Sequence, residues 1–327
     1  MRGRHALWFG LLSVILLLAG AIIDNGFAQN YPTKPVRLIL GFPPGGGVDI
    51  VARQITSKLG EQLGQSVVID NRPGAAANIA LDLLAHAVPD GYSLMLTTPT
   101  LTVNPSLYKN LAYDPINDFA PVSLVASTVY VLVVHPSLPV RSVKQLIALA
   151  RARPRELSYS SGGNGSAAHL AGEMFKSMAK VDILHVPYKG IAPALVALLN
   201  GEAQLTFGTL PSTLPLVRNG KLRPLAVTGS RRTKFVPDLP TISEAGVPDY
   251  ATTAWYGVIA PAKTPKAIVD RLNSELAKVL KAEEIEKRFA KQNIEVLTST
   301  PEQFGEFIKA ELAKWRDVVN KARMRID

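Results

Sequence analysis

Two glycine-rich segments carry the residue types through which this 327-residue chain could bind a ligand or do chemistry. Residues 41–49 read GFPPGGGVD and follow the apolar run 36–40, and residues 161–166 read SGGNGS and follow 157–160. A strand that passes through glycine into a helix presents free backbone N–H groups at the positive end of the helix dipole. Each segment therefore predicts a site for a small anion. Together they indicate two similar α/β lobes that offer donors to one ligand.

Nucleotide binding fits neither segment. The first lacks the Gly-Lys-Ser/Thr ending of a P-loop. The second has Gly163, Gly165 and Ala168 at the spacing of a dinucleotide fingerprint, but that site needs an acid at the end of the following strand. Here Asp182 begins that strand and His185 lies near its end. We therefore expect no nucleotide cofactor.

Ser166 and His169 lie three residues apart at the start of a predicted helix, and they could be the nucleophile and base of a secreted α/β hydrolase. The chain has no G-x-S-x-G nucleophile elbow, on which such enzymes depend. A helix cap and a first-turn side chain that both face a ligand explain this spacing more simply. The hydrolase is an alternative, and we expect no catalysis.

Cysteine and histidine usage limits other chemistry. The chain has no cysteine, which excludes disulfides, thiol nucleophiles and cysteine-ligated metals. His86, His135, His169 and His185 do not show a metal-ligand spacing such as H-E-x-x-H. We expect neither a metal nor a cofactor.

The composition is that of a globular protein, with 47% hydrophobic and 19% charged residues. The net charge of +10 is compatible with an anionic ligand, an anionic membrane surface or nucleic acid, and equally with solubility alone. The chain has no zinc-finger spacing, long basic arm or RNA-binding aromatic motif, so we expect no nucleic-acid partner.

The first residues indicate export. Arg2 and Arg4 precede the apolar run 6–23, and the small residues Gly26 and Ala28 follow at the spacing of a cleavage site. This pattern is typical of a secretory signal peptide, here residues 1–28, cleaved after Ala28. A retained membrane anchor is the alternative, because the apolar run approaches the length of a spanning helix.

The rest of the chain alternates strand and helix patterns, which predicts an α/β protein with mostly parallel sheets. Asp49 stands where the N-cap of the first helix is expected. Thr98, Thr100, Tyr188, Gly208 and Thr209 follow or end other strands, at the sheet edge where ligands bind in open α/β folds. The predicted strands are 36–40, 67–69, 93–96, 129–134, 157–160, 182–186, 204–207, 225–228 and 254–260, and the predicted helices are 49–63, 77–87, 142–152, 167–179, 192–200, 265–281, 283–291 and 301–323.

An ordered set of short motifs resembles the Bug-type periplasmic solute receptors of tripartite tricarboxylate transporters. No single motif is decisive, but the set runs over nearly the whole chain after residue 28. The motifs are Tyr31-Pro32, Pro35-Val36-Arg37, Phe42-Pro43-Pro44-Gly45-Gly46 with Asp49, Asn71-Arg72-Pro73-Gly74 with Asn78-Ile79, Pro89-Asp90-Gly91-Tyr92, Asp118-Phe119-Ala120-Pro121-Val122, Gly165-Ser166 with His169-Leu170, Val186-Pro187-Tyr188-Lys189-Gly190, Leu239-Pro240-Thr241 with Glu244-Ala245-Gly246-Val247-Pro248, and Trp255-Tyr256-Gly257.

The resemblance implies a two-lobe periplasmic binding protein fold of type II, in which parallel-rich sheets flanked by helices are joined by a hinge of crossing strands. Residues 29–126 plus 252–327 would form lobe one and 127–251 lobe two, with crossings near Ala126 and Tyr250. The cleft would close on a small mono- or dicarboxylate for delivery to membrane permease subunits. We expect a periplasmic monomer that is not an enzyme. A ligand sensor on the same scaffold is a further alternative.

Carried over by position, the resemblance also implies the ligand contacts. In lobe one they are Phe42, Gly46, Gly47, Val48, Asp49, Thr98 and Thr100, and in lobe two Gly165, Ser166, His169, Tyr188, Gly208 and Thr209.

Three departures from the family pattern concern the pocket. Residues 75–77 are alanines where further glycine is usual, and Ile191 stands where a small residue is common. Residues 207–212 carry no acid, whereas relatives often have Asp or Asn there. A ligand ammonium group would then lack a partner, so the sequence favours a simple acid over an amino acid.

Overall fold

The computed structural model of the protein describes residues 31–322, so the predicted signal peptide lies outside the described residues. Ten strands and ten helices follow one another in these residues, largely in alternation. The strands are β1 (Val36–Leu40), β2 (Val67–Asn71), β3 (Ser93–Thr97), β4 (Phe119–Val134), β5 (Ser158–Ser161), β6 (Leu184–Pro187), β7 (Leu205–Thr209), β8 (Arg223–Val227), β9 (Thr253–Pro261) and β10 (Glu295–Val296). The helices are α1 (Gly47–Leu63), α2 (Asn78–Ala85), α3 (Thr100–Leu107), α4 (Val143–Ala152), α5 (Ala167–Ala179), α6 (Ile191–Leu199), α7 (Leu210–Arg218), α8 (Lys266–Leu280), α9 (Glu283–Lys291) and α10 (Pro301–Ala322).

The strands form one continuous hydrogen-bonded array in the order β2-β1-β3-β9-β4-β7-β5-β6, with β8 and β10 also paired to β4. The outer strands of each half are parallel: β1 with β2 and β3, and β5 with β6 and β7. The pairs formed by β4 and β9 are antiparallel. The fold is the expected two-lobe α/β fold, with parallel outer strands and an antiparallel centre.

Strand β4 passes from one lobe into the other. It pairs with β9 through Val129 and with β7 from Tyr130 onward. The chain returns to the first lobe beside the same point, where the Thr252 N–H donates to the Thr228 carbonyl at 2.9 Å. The Thr228 Oγ1 accepts the Tyr130 N–H at 2.9 Å. Two adjacent crossings therefore connect the lobes.

Helices form where apolar residues recur at helical spacing. In α1, Val51, Ile55, Leu59 and Leu63 recur every fourth residue, and all are buried. The helix ends where Gly64 adopts φ +68°, a left-handed conformation that suits glycine. One face of α10 is likewise core, with Phe304, Ile308, Leu312, Trp315 and Val319 buried. Among the residues that the structure covers, no helix is long and apolar enough to cross a bilayer.

The structure corrects several predicted elements. Helix α1 begins at Gly47 with Gly46 as its N-cap, so the prediction of Asp49 as N-cap was wrong. The predicted strand 129–134 is only the second part of β4. Helices α3 and α7 were not predicted, because α3 is rich in threonine and contains Pro105, and α7 contains Pro211 and Pro215.

A left-handed turn precedes α2. Ala75, Ala76 and Ala77 have φ of 45°, 51° and 72°, a conformation that an L-residue with a Cβ rarely adopts. The turn is held by Asn104, whose Nδ2 donates to the Ala76 carbonyl at 2.9 Å and to Asn78 Oδ1 at 2.6 Å. Alanine in place of the family's glycine therefore stores strain in this segment.

We predict that Ala75→Gly raises the free energy of unfolding by up to about 1 kcal/mol. A left-handed L-residue costs roughly 1–2 kcal/mol, which outweighs the roughly 0.5–1 kcal/mol entropic disadvantage of glycine. Ala313→Gly is the matched control, since Ala313 is exposed within α10 and glycine there should lower stability by about 1 kcal/mol. Urea denaturation measures both. Equal losses in the two variants would show that the turn is unstrained.

Candidate functional site

A cavity lies between the lobes, at the carboxyl ends of β1, β3, β5, β6 and β7. Its walls are apolar side chains, glycines and hydroxyl groups, and no residue of the lining is ionisable at neutral pH. The lining consists of Phe42, Pro43, Pro44, Gly46, Gly47, Val48, Thr98, Pro99, Tyr130, Gly162, Ser166, Ala167, Ala168, Gly190, Ile191, Ala192, Pro193, Phe207, Thr209, Ala254 and Tyr256.

The start of α1 forms one wall. No side chain caps this helix at Gly46, so its first backbone N–H groups are available to a ligand. The turn before it is fixed by Asp49, whose Oδ2 accepts the Gly45 N–H at 3.1 Å and the Arg53 Nε–H at 2.9 Å. Burial opposes ionisation of Asp49, but these two donors outweigh it and lower its pKa. The carboxylate therefore stays charged and paired behind the turn, outside the cavity lining.

The start of α5 forms the opposite wall. Ser166 is the N-cap, and its Oγ accepts the His169 backbone N–H at 3.4 Å. The His169 ring accepts the Gly165 N–H at Nδ1, at 3.0 Å. These two bonds shape the glycine turn. Ala167 and Ala168 follow it in the first turn of α5 and line the cavity, and first-turn N–H groups have no partner within the helix.

Behind this turn lies a stack of three rings. The His169 and His185 ring centroids are 4.1 Å apart, and Tyr159 stacks on His185 at 4.8 Å. Burial lowers the pKa of His169 to about 4. Burial and the neighbouring His169 lower the pKa of His185 to about 3. Both rings are therefore neutral at physiological pH, and His169 can serve as a hydrogen-bond acceptor.

The lobes meet at the start of α6. A Cβ on Gly190, where φ is +114°, would lie 3.2 Å from Pro43 Cγ of the other lobe. A Cβ on Gly46 would lie 3.5 Å from Ile191 Cγ2. Glycine at 190 therefore permits both the turn and the close approach of the lobes, and Ile191 covers the α1 turn from the other side.

Seven of the thirteen predicted ligand contacts line this cavity, and six do not. The seven are Phe42, Gly46, Gly47, Val48, Thr98, Ser166 and Thr209. The six outside the lining are Asp49, Thr100, Gly165, His169, Tyr188 and Gly208.

These six residues lie in different surroundings. Thr100 Oγ1 is 3.0 Å from Thr98 Oγ1, so it orients a lining hydroxyl. The Tyr188 hydroxyl donates to Glu202 at 3.3 Å, on the exposed side of its lobe. At Gly208 a Cβ would overlap Thr213, so glycine there serves packing. Gly165, His169 and Asp49 fix the two turns, as described above. Whether any of the thirteen touches a ligand stays a prediction.

Sequence reasoning missed several lining residues. Tyr130 and Tyr256 lie on the crossing strands β4 and β9, and both are almost fully buried. Their apolar neighbours in the sequence therefore indicated core residues. Phe207, Pro193 and Pro99 looked like ordinary strand and helix-start residues. A signal was present for Ile191, whose departure from the family pattern marked it as a pocket residue. Within residues 31–322, no cluster of His, Asp and Glu could hold a metal ion.

The family model described as "Tripartite tricarboxylate transporter family receptor" matches residues 51–324. The chain belongs to this family. It is 36% identical to the protein BugT of Bordetella pertussis over 320 residues, which cover 97% of this chain and 98% of BugT. The resemblance to Bug-type receptors is thereby confirmed.

Solved structures agree with this receptor over most of its length. The structure of Rpa4515 of R. palustris with adipate has a TM-score of 0.87 and 42% identity, covering 90% of this chain and 100% of that one. MatC of Rhodopseudomonas palustris with bound malate has a TM-score of 0.84 and 30% identity, covering 88% and 100%. The predicted fold class is confirmed.

We predict that Gly47→Ala lowers the free energy of unfolding of this receptor by about 1–3 kcal/mol, the range for overpacking a buried site. A Cβ at Gly47 would overlap the hydroxyl of Tyr256, which is buried and cannot swing aside, and would approach Thr209 Oγ1 to 3.4 Å. Gly46→Ala is the control, because its Cβ would meet only ordinary contacts and φ at Gly46 is −85°. Thermal and urea denaturation compare the two, and equal stabilities would contradict the predicted overlap.

The lowered pKa of His169 predicts that the protein loses stability in acid. The unfolded chain takes up a proton on this residue below about pH 6.5, whereas folded His169 does so only near pH 4. The contribution of His169 to the free energy of unfolding should therefore be greatest above pH 6.5. It should fall by on the order of 3 kcal/mol as the pH is lowered towards 4. Glu173 opposes and Lys176 reinforces the lowered pKa.

His169→Gln removes this titration while keeping an acceptor for the Gly165 N–H, so its stability should fall less between pH 6.5 and 4. His86→Gln is the control at an exposed histidine whose pKa is raised by its hydrogen bond to Asp82, so this variant should keep the full fall in stability between pH 6.5 and 4. Denaturation at a series of pH values measures both, and parallel profiles for wild type and His169→Gln would refute the assignment.

Proposed function

We propose that this chain is a periplasmic receptor that captures a small carboxylate between its lobes and delivers it to the membrane subunits of a tripartite tricarboxylate transporter. The observation that carries the proposal is the convergence of the N-termini of α1, α5 and α6 on one cavity with an uncharged lining. Helix N-termini bind anions through backbone N–H groups and the positive end of the dipole.

Two further observations support a carboxylate. Two members of the same fold with 42% and 30% identity were solved with adipate and with malate, both small dicarboxylates. The hydroxyls of Thr98, Ser166 and Thr209 line the cavity and can donate to carboxylate oxygens. The ligand charge would be met by dipoles and hydroxyls, each helix terminus contributing typically about 0.3–1 kcal/mol.

The geometry does not favour the hydrolase alternative. His169 Nδ1 accepts the Gly165 N–H, so in the neutral ring the proton resides on Nε2. Neither ring nitrogen then has a free lone pair for the Ser166 hydroxyl, whose oxygen already serves as the helix cap. The receptor is therefore proposed to catalyse nothing, and hydrolysis of p-nitrophenyl acetate that vanishes in Ser166→Ala would contradict this.

The proposal includes export and lobe closure. Residues 1–28 would be removed as a signal peptide, so mass spectrometry of the exported protein should find Gln29 first. Residues 29–126 with 252–327 would then move against 127–251, because a ligand held by both lobes favours the closed state. Small-angle scattering should show a smaller radius of gyration with ligand, and an unchanged radius despite binding would count against closure.

We predict that the receptor binds glutarate at least tenfold more tightly than glutamate in calorimetry. The two ligands differ by one ammonium group, and no carboxylate lines the cavity to pair with it. Adipate, malate and benzoate complete the panel. Equal or tighter binding of glutamate would disprove the simple-acid assignment, and binding of none of the five would disprove the proposed function.

A further inference from the structure

Tyr256 lies on β9 at the floor of the cleft and is 2% exposed. Its hydroxyl lies against the backbone of Gly47, at the first turn of α1, so closely that a methyl group at Gly47 would overlap it. The same methyl would lie 3.4 Å from Thr209 Oγ1. Three kinds of donor therefore meet at one point of the cavity wall: the first N–H groups of α1, the Thr209 hydroxyl and the Tyr256 hydroxyl.

The hydrogen bonding of the buried tyrosines sets this residue apart. The hydroxyls of Tyr31, Tyr113, Tyr159 and Tyr250 each donate to a protein oxygen, at 2.6 to 2.8 Å. No hydrogen bond joins the hydroxyl of Tyr130 or Tyr256 to another group within residues 31–322, and neither oxygen is among the fully enclosed polar atoms that lack a partner, so both oxygens border the open space of the cavity. These two are also the tyrosines of the cavity lining.

A hydroxyl in that position is available to a ligand that enters the cavity. Burial raises the pKa of Tyr256, which keeps the phenol protonated and makes it a donor at any physiological pH. The partner that such a donor lacks is an acceptor oxygen entering from the cavity. Because the α1 amides beside it favour negative charge, an anionic oxygen suits the position best.

We propose that the Tyr256 hydroxyl donates a hydrogen bond to a carboxylate oxygen of the ligand, and that it completes, with Thr209 and the start of α1, the seat for that carboxylate. The inference rests on the proposed function. It adds a side chain of the hinge strand β9 to the binding surface. Through this residue the ligand contacts the crossing strands directly as well as the two lobes.

Calorimetry with glutarate tests the contact. Tyr256→Phe removes only the hydroxyl and should weaken glutarate binding about tenfold or more, the effect expected for a lost hydrogen bond to a charged group. Tyr250→Phe is the matched control: its hydroxyl donates to the Ala171 carbonyl at 2.8 Å, outside the cavity lining. That variant should lose thermal stability and keep the wild-type affinity.

A second readout separates binding from folding. Glutarate should perturb the near-ultraviolet tyrosine absorption of the wild type and of Tyr250→Phe, and the perturbation should be lost or strongly reduced in Tyr256→Phe. Glutarate binding by Tyr256→Phe at wild-type affinity would overturn the inference and leave the proposed function standing. Equal affinity losses in both variants would also overturn it, since the hydroxyl would then act through structure alone. If glutarate, adipate, malate and benzoate all fail to bind the wild type, the proposed function falls and the inference with it.

Discussion

Strand β4 is the element on which the rest of the structure depends, because its backbone is hydrogen-bonded in both lobes. It is 16 residues long, with β9 and β10 along its first part and β7 and β8 along its last. Partners on both sides prevent the lobes from sliding along each other. The freedom that remains lies where the partners change, between Val129 and Tyr130, and the cleft opens beside that point.

A cleft built around such a strand is lined by strand ends and helix starts, and in this protein those positions carry almost no charge. The exceptions are kept behind the lining: the carboxylate of Asp49 is paired with Arg53, and the two stacked histidines are held neutral by burial. The charged and titratable groups therefore shape the turns, while backbone amides and hydroxyls face the cavity. A substitution in the apolar walls would therefore leave the polar groups that face the cavity in place.

Most of the fold could be predicted from the sequence, because hydrophobic periodicity indicates the helices and strands and the glycine positions indicate the turns between them. The predicted bounds of α5 and α9 agree with the structure at every residue, since both helices have regular apolar faces. Helices α3 and α7 were missed because their prolines and threonines resemble loop residues, and tertiary contacts override those weak preferences. The first part of β4 was missed because Pro121 and Ser123 interrupt its pattern, at a shift in the β4–β9 register.

The parts of the candidate site that backbone groups form could be predicted from the sequence. The parts formed by side chains that are distant in sequence could not. The glycine turns before α1 and α5 could be located from local sequence alone. Tyr130 and Tyr256 could not, because a strand pattern shows which residues are buried without showing whether the burial is against core or against a cavity. The left-handed conformation of Ala75 was also hidden, since alanine carries no signal for it.

The uncharged lining has a consequence for the effect of salt. Dissolved ions screen exposed charges over about 8–10 Å, but they would not enter a cleft that has closed on its ligand. The residence time of a bound anion should therefore be nearly independent of ionic strength. The net positive charge of the chain acts from the surface, and its attraction for an approaching anion weakens as salt rises. Ionic strength would then change how fast this receptor fills and leave almost untouched how long it stays filled.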